Sequence, residues 1–585
     1  MARNSMSEKK TSFLSIFCLA LISLWISSIP VQAGERDIVF SAGLSNDRFN
    51  LKLNAPTLLP ATVFSDFEIV PTSLPAPVNT FCSRSLEKNR KTACKKNSSE
   101  SGSKRFKRAL LVDAALLIPN SIKYWIKYSD WIEDWQFELT WEDQKKRFFS
   151  LDAYLFDSNP FVTNWTHTVA GAVYYDFARY HRLNKLESTL FMLGSSMWWE
   201  YITEWREVIS VGDNICSGVA GITIGEPLYW IGSYFTQKKG LGNTILGFIF
   251  NPIVGINDLL DNKKHMSLLN LQRFPRPDFN LFFGPQMVSD SENDSGSTRF
   301  FSGLSIRYYT IEGYGESGKQ NRYIKSTLFS EFQADVSLGV NTLEEYSFFT
   351  RSILFGQFRQ NLKQHSDNKL SGHNLILGAA TAFDYYKKNS TRYYDKGEYH
   401  YDFTGGEEAP QPVEFSDKIA IMNLIGPVAE FSHYSDQFKF RTSVSAYLDF
   451  ALVTSMAINK YSSLYDLYDP RIKTTLSYYG YYYAFGFTVF SDMDLIYGNI
   501  KLSGKLKYHW FDSIEGLDRF QEDMEDDSNV SDTRLMAKIG LGFSLPDSPI
   551  TLQIAYEYID RKGQFKDVSH AFSEERLYAR INVSL

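Results

Sequence analysis

Between residues 167 and 213 the chain carries one histidine and three carboxylates of the kind that do proton chemistry near neutral pH: His167, Glu200, Glu204 and Asp213. Glu200 and Glu204 are four apart, so on a helix they share one face, and two like charges a turn apart repel. In a poorly hydrated interior one of them takes a raised pKa, which is how a general acid arises. His167 exchanges protons in the same range. Asp213, in Asp-Asn-Ile-Cys, stands where a helix begins and suits an N-cap. Arg179, Arg206 and Glu226 complete the charged set as structural partners or counter-charges. A network in which Glu200 and Glu204 simply pair with Arg179 or Arg206 is the competing reading of the same residues, with His167 as a packed histidine. A His with two or three carboxylates could also bind a divalent metal, but one His without a second nearby is not a recognised spacing, so neither a metal site nor a cofactor is expected. The segment holds no Gly-x-Ser-x-Gly elbow, phosphate loop or Cys-x-x-Cys pair.

These residues fall in a helical stretch. Leu110 to Ile118 is an apolar run closed by Pro119; Trp165 to Arg182, Leu186 to Trp205 and Val211 to Phe235 follow at helical spacing. Gly218, Gly221 and Gly225 in the last of them let helices approach closely. From residue 272 onward the period changes to two. Leu535 to Leu545 and Ile550 to Ile559 alternate, and about twelve such segments start near residues 279, 299, 323, 345, 373, 418, 438, 474, 499, 533, 550 and 575. Each is long enough for a tilted membrane strand of about 9 to 11 residues. Polar breaks separate them, and Tyr478 to Tyr483 resembles an interfacial aromatic girdle.

The N-terminus reads as a secretory signal peptide: Lys9 and Lys10, an apolar run from Phe13 to Ile26, and a cleavage site after Ala33. The exported chain keeps Cys82, Cys94 and Cys216; the first two lie in a polar stretch and are disulfide candidates, and the third is expected as a buried thiol. The chain has 585 residues, 44% hydrophobic and 16% aromatic, with a net charge of −6. That composition excludes disorder and a fibrous chain, and the lack of a basic excess excludes nucleic acid as a partner.

The order Asn164-Trp165-x-His167, Gly171-x-x-Tyr174-Tyr175, Ala178-Arg179, Trp199-Glu200-Tyr201, Asp213 and Gly225-Glu226 resembles an uncharacterised bacterial envelope family, a domain-of-unknown-function group, over about 70 residues. Thr168 stands where that family usually has Pro, and Val211-Gly212 where Pro-Ser is common. More weakly, the order His167, Glu200, Asp213, Gly218 is similar to VanZ-like helical proteins, which implies a helical bundle.

The fold expected is α+β: a signal peptide (1–33), a variable lead and linker (34–103), a helical domain (104–265) and an outer-membrane antiparallel β-barrel of about twelve strands (272–585). The helical bundle is expected to plug the lumen or cap the periplasmic mouth, because a lumen of that size is too wide for its own side chains to fill. The alternating C-terminal strand, Leu577 to Leu585, resembles the terminal signal of such barrels. It implies outer-membrane lipid and the barrel-assembly machinery as partners. Three functions remain open: envelope structure or gated passage, an envelope enzyme acting on lipid or cell-wall substrates through the His/Glu/Asp cluster, and a surface-exposed interaction protein.

Overall fold

The computed structural model describes residues 102–129, 136–156, 161–261, 277–291, 293–340, 342–365, 369–388, 393–398, 411–414, 417–465, 475–476, 480–514 and 529–584. The expected signal peptide, the lead to residue 101 and the Cys82–Cys94 pair lie outside them.

The alternating half of the chain forms a closed antiparallel barrel. Its twelve described strands are β1 (Asp278–Asp290), β2 (Asn293–Arg307), β3 (Leu328–Leu338), β4 (Leu343–Gln364), β5 (Leu370–Lys388), β6 (Asp417–Tyr434), β7 (Phe438–Thr454), β8 (Tyr481–Tyr497), β9 (Ile500–Ser513), β10 (Val530–Ser544), β11 (Ile550–Phe565) and β12 (Val568–Ser584). Each pairs with the next, and β12 closes on β1, Ile581 opposite Phe283. A short strand, Gly318–Ile324, lines up with β3 along the second half of β4. Closure leaves no open edge, which is the condition for strands to stand in hydrocarbon.

Strand parity separates lumen from outer wall. On β7, Ser443, Ser445, Tyr447 and Asp449 are buried and face the lumen, whereas Val444 and Leu448 are 46% and 65% exposed and face outward. Phe283, Met287, Phe485, Phe487, Ile539 and Leu541 continue the exposed apolar wall. The lumen is crossed by long charged side chains. Arg351 of β4 meets Glu331 at 3.2 Å and Glu430 of β6 at 2.8 Å. Arg307 of β2 meets Asp492 and Asp494 of β8 at 2.6 and 2.9 Å, and Arg576 of β12 meets Glu345 of β4 at 2.7 Å. Apart from Arg351–Glu331, which face each other on adjacent strands, these pairs join strands that are not neighbours in the sheet.

The described helices fall into two compact groupings, those within residues 102–120 and 231–261, and those within 121–230 together with the barrel. In the first, α7 (Leu241–Phe250) and α8 (Pro252–Asp261) meet at Asn251, whose Oδ1 accepts from the Val254 N–H at 3.0 Å and so caps α8. The helix α1 (Gly102–Lys127) has a segment, Phe106–Lys127, that is long and apolar enough to cross a membrane by length and composition. The second holds α2 (Trp141–Phe149), α3 (Phe161–Tyr180), α4 (Lys185–Trp198), α5 (Val211–Ala220) and the start of α6 (Glu226–Thr236).

In this second grouping the helices do not enter the lumen. Phe450 and Leu452 share the outward parity of Val444 and Leu448, yet are fully buried. Phe156, just ahead of α3, covers them, its ring centroid 5.7 Å from that of Phe450 and 4.7 Å from that of Tyr483. Tyr481, Tyr483, Phe383, Tyr385, Ala420 and Met422 also join the apolar cluster that contains Phe161, Ala172, Cys216 and Ala220. The expected plug or periplasmic cap is therefore corrected: the bundle rests on the outer wall. The physical reason is that long Arg and Glu side chains fill the lumen, which the width argument did not allow for. One mouth is filled instead by a helix absent from the sequence analysis, α9 (Met456–Leu464), between β7 and β8. Its Ala457 and Ile458 pack on Phe565 and Val530, and the Met456 N–H donates to Asp532 at 3.1 Å.

Candidate functional site

Three helical segments bring three polar side chains together. His167 lies in the second turn of α3, Glu200 in a π-helical turn, Trp199–Thr203, that ends α4, and Asp213 in the first turn of α5. His167 Nε2 is 3.5 Å from Asp213 Oδ2, and one ligand-capable atom from each of the three lies within 4.8 Å of the others. Glu200 and Asp213 are 0% and 1% exposed, while the His167 side chain keeps 14% of its surface. The carboxylates are thus closed off from solvent, and the imidazole keeps a small exposure.

Local sequence explains the convergence. Gly171 on α3 presses against the Ser217 backbone of α5, where any Cβ would overlap the Ser217 carbonyl. Ser217 Oγ donates to the His167 carbonyl at 3.1 Å, fixing the crossing just below the imidazole. Ser210 serves both carboxylates: its Oγ caps α5 by accepting from the Asp213 N–H at 3.2 Å, and its own N–H donates to Glu200 Oε2 at 3.0 Å. Asp213 is thus in the first turn, and Ser210 is the cap that sequence reading assigned to Asp213. Arg147 of α2, fully buried, holds the end of α4. It donates to the carbonyl oxygens of Glu200, Tyr201, Glu204 and Glu207, and so places positive charge beside Glu200. Nothing in the polar run around Arg147 marks it, because its partners are backbone carbonyls.

The other named residues go elsewhere. The π turn breaks the four-residue spacing, so Glu204 leaves the face of Glu200 and accepts the Trp199 indole N–H at 2.7 Å; it is not in the group. Arg206 pairs with exposed Glu138 at 2.7 Å. Arg179 pairs with Glu226, at 2.9 Å, and not with Glu200. Glu226 also takes Lys185 at 3.3 Å, the Tyr175 hydroxyl at 2.7 Å and the Trp230 indole at 2.8 Å. Burial works to raise the Glu226 pKa, but the Arg179 and Lys185 cations overcome it and hold the carboxyl at about 2. Next to it, burial and then the Glu226 charge push Asp176 well above the carboxylate range. Glu226 is a locked ion-pair hub, not part of the His167 group. Cys216 is free and buried, with Sγ 4.0 Å from Met422 Sδ on the barrel wall, and burial pushes its thiol up.

Asn164 and Trp165, three and two residues ahead of His167, are docking residues. Asn164 Nδ2 donates to the Tyr481 hydroxyl at 3.1 Å and its Oδ1 accepts from the Tyr483 hydroxyl at 2.8 Å. Trp165 lies 4.5 Å from the Tyr385 ring and 5.6 Å from the Phe383 ring. A single helix start therefore carries both the anchor to the barrel wall and the imidazole.

Residues 153–253 match the model of a domain of unknown function, DUF3943. The match spans every member of the three-residue group and the Glu226 hub. No curated protein sequence matches the chain. Among solved structures the chain is similar to OmpT, an outer membrane protein of Vibrio cholerae, at 6% identity and a TM-score of 0.19, covering 53% of this chain and 97% of that one. It is similar to the beta domain of the Bordetella autotransporter BrkA at 11% identity and a TM-score of 0.18, covering 53% and 98%. Pseudomonas putida OprB aligns at 9% identity and a TM-score of 0.19, covering 54% and 95%. The barrel is an outer-membrane barrel on its own features: closed antiparallel pairing, an apolar outer wall and a charged lumen. Its surroundings are outer-membrane lipid.

Proposed function

We propose that the barrel anchors a helical domain whose His167–Glu200–Asp213 group performs hydrolysis or group transfer on an amphiphilic envelope substrate. The observation that carries this reading is the meeting of a partly exposed imidazole with two buried carboxylates from separate helices. Such a group can hold a water or substrate hydroxyl against a base, with the second carboxylate beside it. The substrate class follows from the surroundings. Val169, Leu186, Leu190, Met197, Trp198 and Ile202 are exposed on α3, α4 and the turn that carries Glu200. An apolar surface of that kind beside an apolar barrel wall suits an acyl chain better than a sugar polymer. Gated passage has less support, since ion pairs cross the lumen and α9 fills one mouth. Delivery by the barrel-assembly machinery is part of the proposal.

The test uses full-length protein in vesicles made from envelope phospholipid and lipopolysaccharide, with lipid products read by mass spectrometry. The wild type is expected to yield a cleaved or transferred lipid. His167→Ala and Asp213→Asn are expected to lower turnover about 100-fold or more, the scale of acid–base catalysis. Both variants should keep the heat-dependent gel shift of a folded barrel. No product from any envelope lipid, or equal turnover in all three proteins, would overturn the reading.

A further inference from the structure

We infer that His167, Glu200 and Asp213 bind one divalent transition-metal ion of the zinc or manganese kind. The inference rests on the reading of this group as the functional site and specifies its chemistry.

The geometry is close to a coordination shell. Two ligands on a tetrahedral metal with bonds of about 2.1 Å are roughly 3.4 Å apart; His167 Nε2 and Asp213 Oδ2 are 3.5 Å apart. The outermost ligand-atom separation in the group is within 4.8 Å, so a small side-chain rotation completes three-point contact. Charge argues the same way. Two carboxylates are buried within reach of each other, with His167 and the Arg147 guanidinium beside them. A divalent ion interacts with both carboxylates at once.

The donor set selects the metal. One imidazole and two carboxylates suit zinc, manganese or ferrous iron, whereas calcium wants six to eight oxygens and magnesium keeps most of its water. Three protein ligands leave a coordination position open, the arrangement of catalytic rather than structural zinc. The supporting contacts are those expected around a metal: the Ser210 N–H fixes the second Glu200 oxygen, and Ser217 ties the α3 backbone at His167. The three ligands come from three separate helical segments, so no single segment shows a metal-ligand spacing.

The experiment is direct metal binding by full-length protein in detergent, stripped with chelator and carrying Cys82→Ser and Cys94→Ser to remove thiol ligands. Zinc alone, then manganese alone, is titrated by calorimetry, and retained metal is counted after desalting. One ion per chain is expected. His167→Ala, Glu200→Gln and Asp213→Asn should each weaken binding about 100-fold or more, and Glu204→Gln should leave it unchanged. Zinc should also raise the midpoint of helical-domain unfolding in the parent protein and not in His167→Ala, a readout that does not depend on turnover. Folded barrel that binds neither metal, or binding that survives His167→Ala and Asp213→Asn together, overturns the inference. Stoichiometric zinc with no lipid turnover upholds the metal site and sinks the catalytic reading. Turnover that depends on His167 in metal-free protein does the reverse.

Discussion

Glu226 and Glu200 are both fully buried carboxylates on the same bundle, and their partners give them opposite roles. Glu226 is saturated by Arg179, Lys185, Tyr175 and Trp230. Removing its charge leaves two buried cations, which costs about 3–5 kcal/mol. Glu226→Gln should therefore lower the helical domain's unfolding midpoint sharply, checked by limited proteolysis across a denaturant series. The pH dependence has a definite sign. The folded pKa of about 2 lies below the ordinary value of 4.5, so this group's contribution is fully present above about pH 4.5 and is lost as the pH falls toward 2. In Glu226→Gln, acid unfolding between pH 4.5 and 2 should be shallower than in the wild type. Asp176, whose pKa is raised by burial and by Glu226, acts in the opposite direction and is relieved by the same substitution. At the site itself, Glu204 is outside the three-residue group, so Glu204→Gln should retain turnover while Glu200→Gln loses it.

At the scale of elements, the site depends on how closely α3 and α5 cross. Gly171 is where that approach occurs, and an added Cβ meets the Ser217 carbonyl. Gly171→Ala should cost about 1–3 kcal/mol through overpacking and should disturb the site before it disturbs the barrel. The check is loss of His167-dependent activity at an unchanged barrel heat shift. Docking has its own residues. Asn164 answers two tyrosine hydroxyls at the top of β8. Asn164→Ala leaves both hydroxyls buried without that partner, at about 1–3 kcal/mol each. It should expose the α3–α5 segment to protease while Tyr482, which faces the lumen and binds Asp532 at 3.0 Å, stays unaffected.

For the whole molecule, the bundle's place on the wall is testable in a bilayer. Leu448 and Phe450 have the same outward parity on β7, but Leu448 is exposed and Phe450 is covered by Phe156. A fluorophore on Leu448→Cys should be quenched by brominated lipid, and one on Phe450→Cys should not. Equal quenching would place the bundle away from the wall. A lumen filled by its own charges also predicts little ion conductance for the reconstituted protein, measured in planar bilayers against an open porin.

The barrel was legible in the sequence because a strand records its two environments in alternate residues. Val444, Ser445, Tyr447 and Leu448 already state which side is lumen and which is lipid, without knowledge of any neighbour. The twelve strand starts are local signals of the same kind, and the order of His167, Glu200 and Asp213 placed them on successive helices. The rest depended on the assembled molecule. Buried aromatic residues read alike whether a bundle lies inside a barrel or against it, so Phe450, Tyr481 and Tyr483 did not reveal which face α3 covers. Glu204 shared a face with Glu200 only for an uninterrupted α-helix, and the turn at Trp199–Thr203 removed it. Arg147 works through backbone carbonyls, which carry no sequence identity. Periodicity is written in one segment at a time, whereas the side of a wall, the crossing of two helices and the meeting of three side chains are set by packing between segments far apart in the chain.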